Sequence, residues 1–175
     1  SRCRVNISHL KIMDRRLWGK SDEILSLIIE AREKGMDITY DQYPYTATST
    51  TLMVLLPEKI FDGDVKKFIE RIDTLTKEEK EEIIDIVYKR GGISNILISN
   101  SFLPDNKFSG KTVLEIKEEK GLEDIETILY LIKESGGRAK AIYFSIGEED
   151  MYNFMRTSIG VIGSDGSSVP AEKNQ

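Results

Sequence analysis

Three short runs of strand-forming residues, each ending in polar side chains, most constrain what this chain can fold into. Groups able to carry chemistry follow each run within three residues: His9 and Lys11 after residues 4–8, Tyr43 after residues 37–41, and Asp165 after residues 159–163. In a parallel α/β barrel the active site is built at the carboxyl ends of several strands at once. The pattern therefore predicts that these side chains share one site.

The segment between the first two runs has the pattern of a helix. Ser21 is a candidate N-cap, and the two acidic residues after it suit the positive end of a helix dipole. Apolar residues then recur on one face, and Gly35 is a suitable C-terminal stop. A strand, a helix and a strand with short connections form a βαβ unit, which implies parallel strands. The predicted fold class is α/β, with residues 4–8 as a buried strand.

The middle of the chain has a different character. Residues 46–51 are hydroxyl-rich and are predicted to form a loop, and two capping boxes, Thr76 with Glu79 and Thr112 with Glu115, predict helix starts. The predicted organisation is a barrel segment at residues 1–55, a mostly helical α+β insertion at 56–145, a last barrel strand segment at 146–169 and a disordered tail at 170–175.

Composition narrows the class of function. The net charge of -5 argues against nonspecific nucleic-acid binding, which needs a basic face. No apolar run is long enough to cross a membrane. The single cysteine, Cys3, excludes an intramolecular disulfide and fits a reducing, cytoplasmic compartment. The start at Ser1 lacks an initiator methionine and a leader, so we expect an excised piece of a longer protein.

His9 is the only histidine, and it has three interpretations: a metal ligand, a general base or a structural histidine. Zinc takes about three or four protein ligands, so His9 cannot hold it alone. The other candidate ligands are carboxylates and Cys3, and Cys3 lies near the opposite end of the same predicted strand. An intact zinc site within these residues is therefore not expected.

Each of the remaining candidate residues has two interpretations. Asp165, followed by Gly166, is either a turn residue or a carboxylate at a barrel mouth that acts as a general base. Lys11 and Tyr43 are either a surface lysine and a packed aromatic residue or donors to the carboxylate of an anionic substrate. Ser49 could add a third donor or could be an ordinary loop hydroxyl.

Three motifs carry a resemblance to a known family. They are residues 7–11 (Ile-Ser-His-Leu-Lys), residues 41–50 (Asp-Gln-Tyr-Pro-Tyr-Thr-Ala-Thr-Ser-Thr) and residues 162–166 (Ile-Gly-Ser-Asp-Gly). With these three motifs in this order, the chain resembles the N-acyl-D-amino-acid deacylases, or D-aminoacylases, of the amidohydrolase superfamily. The resemblance implies part of a metal-dependent (β/α)8 barrel that hydrolyses N-acyl-D-amino acids to a carboxylate and a D-amino acid.

The resemblance also implies a role for each residue. His9 would end the sixth barrel strand as a zinc ligand, and Asp165 would end the eighth strand as general base and then acid. Lys11, Tyr43 and Ser49 would hold the substrate carboxylate. The family's other metal ligands would precede Ser1, so we expect these residues alone neither to bind zinc tightly nor to turn over substrate.

Two alternative functions stay open on the sequence. One is a cyclic-amide hydrolase of the dihydroorotase or hydantoinase type, which would have less need of Lys11 with Tyr43. The other is a non-catalytic binding or assembly module. In addition, strands taken from a closed barrel would have unpaired edges and an uncovered apolar face, which predicts self-association.

Overall fold

The computed structural model of the chain describes residues 3–61 and 63–166. The described strands are β1 (Arg4–Ile7), β2 (Asp37–Gln42), β3 (Thr48–Thr51), β4 (Ile96–Asn100), β5 (Lys140–Tyr143) and β6 (Gly160–Ile162). The described α-helices are α1 (Ser21–Glu33), α2 (Val65–Arg71), α3 (Lys77–Lys89), α4 (Val113–Lys120), α5 (Asp124–Glu134) and α6 (Glu148–Met155). The predicted disordered tail at 170–175 and residues 167–169 of the predicted last strand segment lie outside the described residues.

The described residues pack into two compact units. The parallel-sheet unit contains residues 3–12, 17–46 and 146–166, and the antiparallel-sheet unit contains residues 13–16, 47–61 and 63–145. Residues 47–55, which the sequence analysis assigned to the barrel segment, pack with the antiparallel-sheet unit. No helix in the described part of the chain combines the length and apolar character that crossing a bilayer requires.

The parallel-sheet unit has the strand order β1-β2-β6, with both pairs parallel. The register pairs Asn6 with Thr39 and Asp41 with Val161. The predicted parallel βαβ arrangement of β1, α1 and β2 is therefore confirmed. Because all three strands run in one direction, their carboxyl ends lie at the same edge of the sheet.

Side chains alternate between the two faces of this sheet. Tyr40 faces the helices, where its ring meets Phe154 of α6 edge-on at 6.1 Å between centroids. Asn6, Thr39 and Asp41 project from the other face and are joined by hydrogen bonds. This face is therefore polar along β1 and β2, whereas Val161 of β6, which pairs with Asp41, is an exposed apolar residue.

The first strand also departs from its prediction as a buried strand. Arg4, Val5 and Asn6 of β1 are exposed, and only Ile7 is partly covered. The reason is position, since β1 is an outer strand whose one strand partner among the described residues is β2. Strand-forming residues alone do not say how many neighbours a strand will have.

The start of α1 corrects a second prediction. Ser21 is the first helical residue and does not act as the N-cap, because Lys20 holds that position without a side-chain cap bond. Asp150 of α6 takes over the capping role: its carboxylate accepts the backbone N–H of Gly19 at 2.9 Å and of Ser21 at 3.1 Å. A charged acceptor at this end also suits the helix dipole.

The antiparallel-sheet unit is built on the strand order β3-β5-β4. The predicted loop at residues 46–51 is wrong for Thr48–Thr51, which forms β3 against β5. Both predicted capping boxes, at Thr76 and at Thr112, are present. The helices pack on a core whose central isoleucines, Ile98 and Ile116 among them, are fully buried.

Candidate functional site

The carboxyl edge of the parallel sheet carries four of the five residues predicted to form a site. His9 and Lys11 follow β1, Tyr43 follows β2, and Asp165 follows β6. Backbone hydrogen bonds continue the pairing beyond the strand ends, from Leu10 N–H to the Asp41 carbonyl at 2.8 Å and from Gly163 N–H to the Gln42 carbonyl at 3.0 Å. These bonds hold the start of each loop beside its neighbour.

His9 lies on a tight turn with a left-handed backbone, at φ 45°. Its N–H donates to Asp41 Oδ1 at 2.8 Å. Lys11 Nζ lies 2.8 Å from both His9 Nδ1 and the His9 carbonyl oxygen. An ammonium group can only donate, so Nδ1 accepts and a neutral His9 ring carries its proton on Nε2.

Asp41 is the centre of a polar network that sequence reasoning missed. Besides the His9 N–H, its carboxylate accepts the Asn6 amide at 2.8 Å through Oδ2, and the Thr39 hydroxyl donates to Asn6 Oδ1 at 3.0 Å. These donors, the His9 N–H foremost and the Asn6 amide next, lower the pKa of Asp41 below its ordinary value. Polar residues at every second position of β2 could have indicated this face.

Lys11 and Tyr43 are neighbours, as their predicted joint role requires. Lys11 Nζ lies 5.2 Å from the centroid of the Tyr43 ring, within cation–π range. Tyr43 itself is only 4% exposed, and its hydroxyl oxygen is buried. The ring of Tyr45 lies 6.0 Å away and is largely exposed. The Lys11 ammonium therefore lies between the His9 turn and the Tyr43 ring.

Asp165 is exposed on the loop after β6 and also has a left-handed backbone, at φ 49°. Its loop is closed by a hydrogen bond from Gly166 N–H to Ser164 Oγ at 3.2 Å. Left-handed non-glycine residues are uncommon and often mark sites where geometry serves function. Here both the histidine and the aspartate of the candidate site adopt that conformation.

Ser49 is the fifth predicted residue and belongs to the other unit. It lies exposed on β3 of the antiparallel-sheet unit, opposite Ile142 of β5. It is therefore a strand residue, whereas the sequence predicted a hydroxyl-rich loop at this position.

The capacity of this edge to hold a metal is limited. In the part of the chain that the structure describes, no group of three or more His, Cys, Asp or Glu residues could hold a metal ion. His9 offers one imidazole, and its Nδ1 is engaged by Lys11. Within the described residues, His9 is therefore the one imidazole that could contribute to a metal site.

Comparison with known proteins identifies relatives of one kind. An N-acyl-D-glutamate deacylase of Alcaligenes xylosoxydans xylosoxydans is 27% identical over 164 residues, which are 94% of this chain and 26% of the relative. A D-aminoacylase of the same organism is 28% identical over 165 residues, or 93% of this chain and 25% of the relative. No protein-family model matches the chain.

Solved structures give the same result. The crystal structure of N-acyl-D-glutamate deacylase from Bordetella bronchiseptica, complexed with zinc and a phosphonate inhibitor, superposes with a TM-score of 0.63 at 26% identity, covering 94% of this chain and 26% of that one. A D-aminoacylase structure with a binuclear metal centre gives 0.61 at 28%, with coverage of 93% and 26%. The resemblance to N-acyl-D-amino-acid deacylases is thus confirmed, and the chain spans about a quarter of the length of these relatives.

Proposed function

We propose that this chain is the late-barrel segment of a zinc-dependent amidohydrolase that cleaves N-acyl-D-amino acids to a carboxylate and a D-amino acid. In this proposal β1, β2 and β6 are strands of a (β/α)8 barrel, and the antiparallel-sheet unit is its inserted subdomain. The observation that carries the proposal is the shared carboxyl edge of three parallel strands, at which His9, Tyr43 and Asp165 all emerge. Active sites of such barrels lie at that edge.

His9 is proposed to give one ligand to a zinc site whose other ligands lie outside the described residues, and this requires Nδ1 to leave Lys11 or Nε2 to give up its proton when the metal binds. A zinc ion in such enzymes lowers the pKa of a bound water and polarises the scissile carbonyl. Since no group of three or more His, Cys, Asp or Glu residues in the described ranges could hold a metal ion, we expect the 175-residue chain to be inactive by itself.

Asp165 is proposed as the group that moves the proton. As an exposed carboxylate at the end of β6 it can accept a proton from the attacking water and then deliver it to the leaving amine. Asparagine tolerates the left-handed backbone conformation of this residue as well as aspartate does. Asp165→Asn therefore removes the base while keeping the backbone conformation.

Lys11, Tyr43 and Ser49 are proposed to bind the substrate carboxylate. Lys11 Nζ supplies a positive charge at this edge, and it stands over the Tyr43 ring. The Tyr43 hydroxyl is buried, so its direct contact with a carboxylate requires this side chain to become more exposed when substrate binds.

The proposal is tested on the complete polypeptide encoded by the reading frame that contains this chain. We expect zinc-dependent hydrolysis of N-acetyl-D-glutamate or another N-acyl-D-amino acid, with the L-enantiomers poor substrates. Asp165→Asn should lower kcat by about 10²- to 10⁴-fold, the usual range for a general base. Turnover of dihydroorotate or hydantoins alone would overturn the choice of substrate.

A matched control separates proton transfer from loss of charge. Asp105 is also exposed and left-handed, at φ 55°, but lies in the antiparallel-sheet unit. Asp105→Asn should leave kcat unchanged. If Asp165→Asn were equally harmless, Asp165 would not be the base, and a complete polypeptide without bound metal would favour a non-catalytic module.

A further inference from the structure

The turn that presents His9 is held by a single carboxylate of the neighbouring strand. Asp41 receives two donors, one on each oxygen: the His9 backbone N–H on Oδ1 and the Asn6 amide on Oδ2, both at 2.8 Å. Asn6 is itself fixed by the Thr39 hydroxyl. The Asp41 side chain is therefore fixed from the sheet side before it meets the turn.

The turn itself is a conformation that histidine adopts only with support. At φ 45° the backbone of His9 is left-handed, which costs a non-glycine residue free energy unless neighbouring groups favour it. The bond from His9 N–H to Asp41 favours it, and the bond from Leu10 N–H to the Asp41 carbonyl reinforces the same turn. Charge-assisted bonds of this kind are roughly twice as strong as neutral ones.

The orientation of the His9 ring depends on this turn. Lys11 Nζ reaches both His9 Nδ1 and the His9 carbonyl, which requires the ring and the carbonyl to lie on the same side. If the turn relaxed to the right-handed region, the carbonyl would rotate away from the ring and Lys11 could no longer reach both. The side chain and the backbone of His9 are thus set together.

We propose that Asp41 is the positioning residue of this site: through the His9 backbone N–H it fixes the turn that aims the His9 ring, and Asn6 and Thr39 hold it in place. The inference deepens the proposed function and rests on it for its meaning, since an aimed imidazole matters if it binds the metal. The geometry it describes exists without metal or substrate.

The test uses the 175-residue chain, whose single histidine gives one unambiguous set of NMR signals. Asp41→Ala removes both acceptor oxygens, and we expect the His9 amide to exchange with solvent at least about tenfold faster, as loss of a charge-assisted hydrogen bond implies. The ¹⁵N signals of the His9 ring should shift from the Nε2–H tautomer towards the tautomer mixture of a ring that is no longer held by Lys11.

Two variants isolate the cause. Asp37→Ala removes the other carboxylate on the same face of β2, which pairs with Arg4 at the amino end of the strand, and should leave both His9 readouts unchanged. Asp41→Asn keeps one carbonyl oxygen for the His9 N–H but turns its amide NH2 towards the Asn6 amide, which is also a donor, so we expect an exchange rate between those of the unaltered chain and Asp41→Ala. An Asp41→Ala exchange rate equal to that of Asp37→Ala would overturn the positioning role.

A further variant keeps the test valid if Asp41→Ala does not fold. Asn6 is exposed, so Asn6→Ala should fold, and it frees one oxygen of Asp41. We expect His9 amide exchange to accelerate by a smaller factor than in Asp41→Ala. His9 signals in Asn6→Ala and Asp41→Ala that match those of Asp37→Ala would contradict the inference. Because neither zinc nor substrate is present, this failure is distinguishable from failure of the proposed hydrolysis.

Discussion

The two units differ in how completely their own residues bury their sheets. In the antiparallel-sheet unit, Ile98, Ile116 and Ile128 have no exposed surface. In the parallel-sheet unit, Val161 and Ile162 of β6 are 61% and 63% exposed. Parallel sheets are usually covered on both faces. The contrast shows that the antiparallel-sheet unit buries its central residues, whereas the parallel-sheet unit has a smaller core, around Tyr40 and Phe154, and leaves β6 exposed to solvent.

The largest expected effect tests this contrast directly. Ile116→Ala should lower the free energy of unfolding by about 2–5 kcal/mol, because it leaves a cavity in a fully buried core. Val161→Ala, a smaller truncation at an exposed position, should change it by less than about 0.5 kcal/mol. Urea denaturation followed by circular dichroism measures both. Similar losses in the two variants would show that the units do not differ in burial as described.

A second test concerns how the parallel-sheet unit is held together. Asp150 is 2% exposed and joins α6 to the start of α1 by accepting two backbone N–H groups. Asp150→Ala should destabilise this unit by about 1–3 kcal/mol, because the helix start loses its acceptor. Hydrogen exchange of the first turn of α1 is the measurement.

Its control is the adjacent residue. Glu149 is exposed on the same helix, and Glu149→Ala should leave exchange in α1 nearly unchanged. If the first turn of α1 exchanged its amide hydrogens at the same rate in Asp150→Ala and Glu149→Ala, Asp150 would not be its cap. The antiparallel-sheet unit, which does not contain α1, should be unaffected in both cases.

The smallest expected effect is a pH dependence of the antiparallel-sheet unit. Lys117, with a smaller contribution from Tyr88, lowers the pKa of Asp124 below its ordinary 3.8. A lowered folded-state pKa contributes stability that is present above 3.8 and is lost as the pH falls through the folded value. The contribution should stay below about 1 kcal/mol, because the pair is partly exposed.

Thermal unfolding between pH 2 and pH 6 measures this contribution. Asp124→Asn should flatten the acid limb of the curve, whereas Asp105→Asn, at an exposed carboxylate of the same unit, gives the general effect of removing one charge. Identical acid limbs in the two variants would mean that the Lys117 pair does not stabilise the folded state.

Local signals in the sequence predicted local structure well. The capping boxes at Thr76 and Thr112 and the left-handed glycine after α1, Gly35, depend on residues a few positions apart. The same holds for the βαβ unit, whose short connection leaves little choice of topology. These features need no knowledge of distant parts of the chain.

The failures involve partners far away in the chain. Thr48–Thr51 looked like a loop, although threonine favours strands, because its partner β5 lies about ninety residues later. Ser21 has the residue type of an N-cap, but the group that accepts its backbone N–H is Asp150, which is 129 residues away in the chain. For the site, the strand ends indicated His9 and Asp165. The side-chain hydrogen bond from Asn6 to Asp41, however, depends on a strand register that sequence alone does not give.

The central claim is that the loops after β1 and β6 open at the same edge of one sheet. A spin label at Ser164→Cys, in a Cys3→Ser background, tests it through paramagnetic broadening of the single His9 imidazole. Strands β1 and β6 are two spacings apart, roughly 10 Å, whereas a label at Lys34→Cys lies before β2, whose length is about 20 Å. We predict much stronger broadening from position 164 than from position 34. Equal or reversed broadening would contradict the shared edge and the site built on it.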